Sequence, residues 1–425
     1  MAKRVISIVL VSIMLVFLVA CGGTAQPAPV APAATPAPAA QPAPAAQPAP
    51  AAQDPVAEII SASDFPGIIA IVTNTIDQNE EEFRSAEALV ARYGADRVIH
   101  RTWPVMFAQE GEMMITILQE LAEMPELGAI IINQAVVNTN AAIDAVRAMR
   151  GDEVFIVSVS AAEVPADVSL RVDLALDVNN PGIGQMFVDQ AEMMGAETIL
   201  HFSFPRHMAV PHLAARRDRI REAAEAAGIA FYEVATPDPM EEGGMAASQL
   251  FVLQEVPRQI ETHGTETVFF TTNCGQQIPM LTQVLNYGAM YVQPCCPSPF
   301  HAFPTALGLA ADQSEALDTF SPTEIIEATR AAIIEAGLQG RLSNWALPAS
   351  MVWTDVGFYY AAEWLVGNAA GGGGQPIDME LINRLVGDVA YRMYGERMYM
   401  TLSPQTIDGV EFPLIVVGLS PYLMY

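Results

Sequence analysis

Cationic side chains are scarce in this chain. Lys and Arg number 20 against 48 Asp and Glu, and the formal net charge is −28. Yet Arg206, His207, His212, Arg216, Arg217, Arg219 and Arg221 crowd into one short stretch. Arg206 and His207 follow the apolar run Thr198–Ser203. An arginine at such a place can grip a carboxylate or phosphate with two parallel hydrogen bonds, and His207 is a second polar candidate beside it. The later arginines have a plainer use. Arg221 is spaced to pair with Glu225 at i+4, and Arg217 reads as structural. Polar residues follow other apolar runs too: Asn74 and Thr75, Gln134 next to Asn133, and Asn273 with Gln276. Their amides and hydroxyls supply mixed donors and acceptors, although Asn74 and Thr75 serve equally well as a helix N-cap. Ser158 and Ser160 alternate with apolar residues, which places both on one side of a strand. Trp103, with Phe107 nearby, can stack on a flat or ring-shaped ligand or pack on a helix beneath.

Cysteine chemistry is open at this level. Outside the N-terminal Cys21, the chain has Cys274, Cys295 and Cys296. An odd set leaves at least one thiol unpaired within the chain. A bridge from Cys274, a vicinal Cys295-Cys296 bridge and capture of a soft metal are all conceivable, and buried free thiols are the preferred reading. Gly-x-Ser-x-Gly, Gly-x-x-x-x-Gly-Lys and a Gly-x-Gly-x-x-Gly after the first strand are absent. His207 and His212 do not have a trustworthy zinc spacing. No catalytic residue, cofactor or metal is therefore expected, and the chain reads as a binder rather than an enzyme.

Strand-like and helix-like segments alternate and so position these residues. Short apolar runs at Ile68–Thr73, Arg97–Thr102, Ala129–Ile132, Val154–Ser158 and Val172–Val178 are separated by amphipathic stretches. Such runs suit strands buried on both faces. The rhythm restarts with strands at Thr198–Ser203, Ala230–Val234, Thr267–Thr271 and Ala289–Val292, and with a strong helix at Pro211–Ala227. Strand-helix alternation argues for parallel βαβ units with right-handed crossovers. The fold expected is α/β, with two doubly wound, Rossmann-like lobes at 63–178 and 179–320 facing one another across a cleft. The segment 321–425 is less regular and is expected to contribute to both lobes, with strands near Tyr399–Leu402 and Leu414–Val417 and a flexible surface loop at Gly371–Gly374. In open parallel sheets ligands bind beyond the carboxyl ends of the strands, which is where the polar residues above fall.

The N-terminus addresses the compartment. Lys3 and Arg4 precede an uncharged apolar run from Val5 to Ala20, the pattern of a signal peptide over 1–20. It ends in Leu18-Val19-Ala20-Cys21, which resembles the lipobox of bacterial lipoproteins. That resemblance implies cleavage before Cys21 and lipidation of its thiol. Residues 21–62 form a tether in which Gln-Pro-Ala-Pro-Ala-Ala recurs; at about 3.1 Å per residue its Pro/Ala stretch can reach about 90 Å. The acidic balance opposes nucleic-acid binding, which needs cations on phosphates.

Taken together, these features resemble the type I periplasmic binding protein superfamily. The resemblance lies in the secretion signal, the tether, the two tandem α/β units and two local phrases. One is Phe202-Ser203-Phe204 leading to Arg216-x-x-Arg219-Ile220-Arg221-Glu222-Ala223-Ala224 and Gly228-Ile229; the other is Val268-Phe269-Phe270-Thr271-Thr272-Asn273. Within the superfamily the chain looks most like an uncharacterised lipoprotein group, with Ser203-Phe204-Pro205-Arg206-His207-Met208 as its most distinctive run. Sugar-binding members place an acidic residue after Thr-Asn, whereas this chain has Cys274, which puts sugar recognition in doubt. The resemblance implies a monomeric, lipid-anchored extracytoplasmic solute-binding protein of an ABC-type importer. Its two lobes would close on a small polar ligand, anionic or ring-containing, and present it to a permease. A membrane-tethered sensor and an extracellular enzyme are the alternatives.

Overall fold

The computed structural model describes residues 65–76, 78–311, 321–372, 375–407 and 409–425. The signal peptide, Cys21 and the tether lie outside the described residues. Among the described residues twelve strands form three sheets. The first five are β1 (Ile68–Thr73), β2 (Val98–Thr102), β3 (Leu127–Ile132), β4 (Phe155–Val159) and β5 (Leu174–Val178). Then come β6 (Thr198–Ser203), β7 (Ala230–Ala235), β8 (Thr267–Thr271) and β9 (Ser343–Trp345). The last three are β10 (Thr401–Ile407), β11 (Val410–Leu419) and β12 (Tyr422–Met424).

The first sheet has the order β10-β11-β5-β4-β3-β1-β2. All its neighbours pair in parallel except β10 with β11. Its inner strands β1, β3, β4 and β5 are buried on both faces because helices cover both. Ile69, Ile71, Ile131, Phe155 and Val157 join a core with the helices Glu80–Tyr93, Ala349–Leu365 and Met379–Tyr394. Ala70, Val72, Ile130, Ile132 and Ile156 join another with the helices Gly111–Ala122 and Thr139–Arg150. The alternation of one strand between two cores accounts for uninterrupted apolar runs, and each buried Ile or Val contributes roughly 1.5–3 kcal/mol. The second sheet, β7-β6-β8, is parallel throughout. The third pairs β12 with β9 antiparallel. The architecture is α/β, with mainly parallel sheets flanked by helices. No helix among the described residues is long and apolar enough to cross a membrane.

Three local expectations need correction. Ala289–Val292 is not a strand: only Met290 and Tyr291 make isolated bridges. The Tyr291 N–H turns to the Arg341 carbonyl at 3.1 Å, and Pro294 further on has no N–H to extend a ladder. Gly371 is buried rather than part of a surface loop, because the Trp364 indole donates to its carbonyl at 2.8 Å; Gly373 and Gly374 lie outside the described residues. The C-terminal strand expected near Tyr399–Leu402 runs instead from Thr401 to Ile407 as the antiparallel edge of the first sheet.

Candidate functional site

Four neighbouring strands of the first sheet end side by side, in the order β4-β3-β1-β2. Asn74 follows β1, Trp103 follows β2, Asn133 and Gln134 follow β3, and Ser158 sits next to last in β4. All but Gln134 are buried. The Asn74 amide donates from Nδ2 to Gln134 Oε1 at 3.0 Å, and its backbone N–H donates to Glu82 Oε1 at 2.7 Å. The Asn133 amide oxygen accepts from Thr354 Oγ1 at 2.8 Å. Even so, Asn74 Oδ1, Trp103 Nε1, Asn133 Nδ2 and Ser158 Oγ have no hydrogen-bond partner among the described residues. An unmade hydrogen bond on a buried group costs about 1–3 kcal/mol, so four at adjacent tips form a concentrated liability.

Thr75 and Ser160 stand apart from this group. The Thr75 hydroxyl donates locally to Gln78 Oε1 at 3.2 Å. Ser160 lies beyond the end of β4 with φ 51°, so the alternation that put it on the same side as Ser158 does not hold. Its hydroxyl bonds instead to the buried carboxyl of Asp177. Burial pushes Asp177 up to about 7, against the hydrogen bonds of the Val178 N–H and Ser160 and the charge of Arg216.

The loops of the second sheet face different demands. The Arg206 fork is already engaged: Nε and NH2 donate to the two Asp238 oxygens at 2.8 and 2.7 Å. Burial works to raise the Asp238 carboxyl, but these bonds hold it below the usual range. His207 Nδ1 lies 3.1 Å from Thr272 Oγ1, which in turn lies 2.7 Å from Ser203 Oγ. Burial first and Arg206 second push His207 down to about 4, so it is neutral at physiological pH. Asn273 caps the turn Cys274–Gln276 through the Gly275 N–H at 3.0 Å. Gln276 is fully buried and donates to Thr236 and Ser248 while accepting from Thr271. Arg221 pairs with Asp218 and Glu233 rather than with Glu225, because β7 brings Glu233 beside the helix.

Several placements were not legible in the sequence. Met240, from a loop after β7, packs against the core that holds Trp103 and Phe107. Arg216 is not solvent-facing but 2% exposed. It donates to Asn180 Oδ1 and to the Cys295 carbonyl, and it lies over the Phe270 ring at 5.0 Å. Cys274, Cys295 and Cys296 are free and draw their three sulfurs together, with Gln134 Nε2 3.8 Å from Cys296 Sγ. Hydrogen bonds from Cys274 and then Cys296 hold the Cys295 thiol well below its usual range, against burial. The hydroxyl of Ser298, just beyond this loop, donates to Glu81 of the first sheet's flanking helix. Glu81 and Glu82 are both pushed up to about 8, chiefly by burial. The tips of the first sheet and the cysteine loop are therefore in direct contact. A run of i+3 and i+4 positions carries no sign of such contacts, since the partners are far apart in the chain.

Comparison with known proteins agrees with this architecture. A putative transcriptional regulator from Clostridium difficile superposes with a TM-score of 0.65 at 18% identity, over 85% of this chain and 99% of that one. An ABC transporter solute-binding protein from Clostridium phytofermentas, solved with bound L-rhamnose, gives a TM-score of 0.50 at 10% identity, over 84% and 96%. At such identities the likeness is one of fold alone. Among curated relatives, an uncharacterized protein of Treponema pallidum is 29% identical over 224 residues, 51% of this chain and 97% of its own length. A second from the same organism is 27% identical over 177 residues, 40% of this chain and 80% of its own. The family model described as "Protein of unknown function (DUF3798)" matches residues 68–343, which span the β1–β4 tips, the Arg206 loop and the cysteine loop, and the chain belongs to that family.

Proposed function

We propose that this protein is an extracytoplasmic solute-binding lipoprotein that delivers a small polar ligand to an ABC-type permease. It acts as a monomer held to the membrane by lipid on Cys21. It binds without chemical turnover. The observation that carries the reading is the set of unpartnered buried atoms at four adjacent strand tips: Asn74 Oδ1, Trp103 Nε1, Asn133 Nδ2 and Ser158 Oγ. They offer an acceptor, two donors and a hydroxyl that can be either. A ring bearing hydroxyl or amide groups would satisfy them and lie against the Trp103 indole. The ligand is neutral in this reading, because Asp238 already takes the Arg206 fork. The fold supports it as well, since a protein of the same fold holds L-rhamnose. Closure would be selected because only the closed form contacts ligand from both sheets.

The test is a thermal-shift screen of the full chain against sugars, nucleosides, amino acids and small acids. A ligand at about 100 times its Kd adds about 2.7 kcal/mol of stability. Trp103→Phe, which keeps the ring and removes the donor, should weaken the hit by about tenfold, the size of a hydrogen bond at about 1.4 kcal/mol. A hit that binds Trp103→Phe and Ser158→Ala as tightly as the parent chain would refute this site.

A further inference from the structure

Beyond the strand tips, the densest unassigned chemistry is sulfur. Cys274 opens the short turn after β8, and Cys295-Cys296 lie between Pro294 and Pro297. The Sγ of Cys274 is 3.2 Å from that of Cys295 and 3.3 Å from that of Cys296, and the last two are 4.0 Å apart. A cation bound to three sulfurs at about 2.3 Å requires sulfur separations of up to about 4 Å. The triangle fits inside that limit: its corners lie about 2.1 Å from a common centre, so such a cation rests about 1 Å out of the sulfur plane. No side chain need swing to form the site. Cys274 and Cys296 are partly exposed, which leaves an entry path.

Charge selects the kind of cation. Thiolate sulfur prefers soft ions over magnesium or calcium. Three thiolates around a divalent ion retain one negative charge, and around a monovalent ion two. One positive charge waits beside them. Arg216 is buried, and its NH1 is 3.1 Å from Asn180 Oδ1 and 3.3 Å from the Cys295 carbonyl; Asp177 acts on it through its charge without a hydrogen bond between them among the described residues. Its Nε has no hydrogen-bond partner among the described residues. A buried cation without a directly bonded counter-charge costs several kcal/mol, and an anionic tris-thiolate centre would add to the partial compensation that Asp177 gives.

We propose that Cys274, Cys295 and Cys296 form a three-thiolate site for a soft divalent cation of the zinc or cadmium class, with Arg216 balancing its residual charge. Each S–H bond is replaced by a sulfur–metal bond, the protons go to solvent, and the cation keeps its oxidation state. Three sulfurs leave a four-coordinate ion one position for water. This site is independent of the polar-ligand reading, because it uses none of the unpartnered tip atoms.

Cadmium alone is the probe. The full chain carrying Cys21→Ser retains only the three body cysteines, and it is titrated under reducing conditions with a phosphine. The expected result is saturation at one cadmium per chain, a thiolate-to-cadmium ultraviolet band of three-sulfur intensity, and loss of three thiols to a thiol reagent. Cys274→Ser, at a partly exposed position, and Cys295→Ser should each weaken binding at least about 100-fold, more than losing a second-shell partner. Arg216→Gln should weaken it about tenfold with the three-sulfur band retained, and circular dichroism checks that each variant is folded. Absence of the band would overturn the proposal, as would a stoichiometry unchanged in Cys274→Ser. So would a metal-free protein from the cell envelope that is two hydrogens lighter than the reduced chain, since a disulfide removes two ligands.

Discussion

Glu82→Gln should make the protein more stable at neutral pH, by an amount that follows from its burial. Glu82 lies wholly inside the first-sheet core region, and its carboxyl is raised from 4.5 to about 8, mainly by desolvation. In the unfolded chain it ionises at its ordinary value. Between the two values the folded chain therefore binds more protons than the unfolded one. Stability falls as pH rises through that window: it is fully present below about 4.5 and lost by about 8. At about 1.36 kcal/mol per unit the whole loss is about 5 kcal/mol, of which about 3 kcal/mol is gone at pH 7. Glutamine has the same shape, and its amide oxygen can still accept the Asn74 N–H that Glu82 accepts at 2.7 Å. The variant should therefore be about 3 kcal/mol more stable than the parent at pH 7 and nearly equal to it at about pH 4.5. Urea denaturation at half-unit steps between these limits measures both, provided the slope on urea is unchanged. Glu81 titrates in the same range, so the single variant should keep part of the parent's decline. If parent and variant decline with the same slope, Glu82 is ionised in the folded state and the reasoning fails.

Other perturbations test the remaining contacts. Ser158→Ala removes a buried hydroxyl without a partner; it should raise ligand-free stability by about 1 kcal/mol while weakening the ligand found by thermal shift. Arg206→Ala strips Asp238, only 6% exposed, of its bidentate partner. With Arg206 itself partly in water, the loss should be about 2 kcal/mol in urea denaturation, and a neutral ligand should bind as before. Gly184→Ala would set a methyl 3.0 Å from the Arg216 carbonyl and 2.8 Å from Arg219 Cβ. The helices Asn180–Met193 and Pro211–Ala227 must then part, and melting should report a loss of about 1–3 kcal/mol. An unchanged melting temperature would show that the two helices are not in close contact there.

Much of the architecture is a local property and could be read residue by residue. Thr198–Ser203, Pro211–Ala227 and Thr267–Thr271 occupy the spans that their composition suggests. A strand buried on both faces must be apolar without a break, and a helix that begins at Pro211 and stops at Gly228 carries its own signals. The polar residues at strand ends were equally legible, because a parallel sheet puts its loops there. Which of them remain unpartnered was not legible. Asn74, Asn133 and Trp103 retain an unmet group, while Gln276 and Asn273 are consumed inside the second sheet's loops. The apparent alternation of Ser158 with Ser160 failed because one left-handed residue turns the chain beyond the strand.

Composition and periodicity alone determined that this chain builds parallel α/β sheets and that its polar strand ends gather at one end of each. They act over a few residues, where backbone geometry dictates which side chains share a face. Only the tertiary structure decided that Asp238 occupies Arg206, that Arg216 is buried, that β11 extends the first sheet, and that three cysteines meet. Those outcomes depend on the packing of distant segments. Hydrogen bonds and ion pairs form between whatever groups the fold brings within about 3 Å, however many residues separate them.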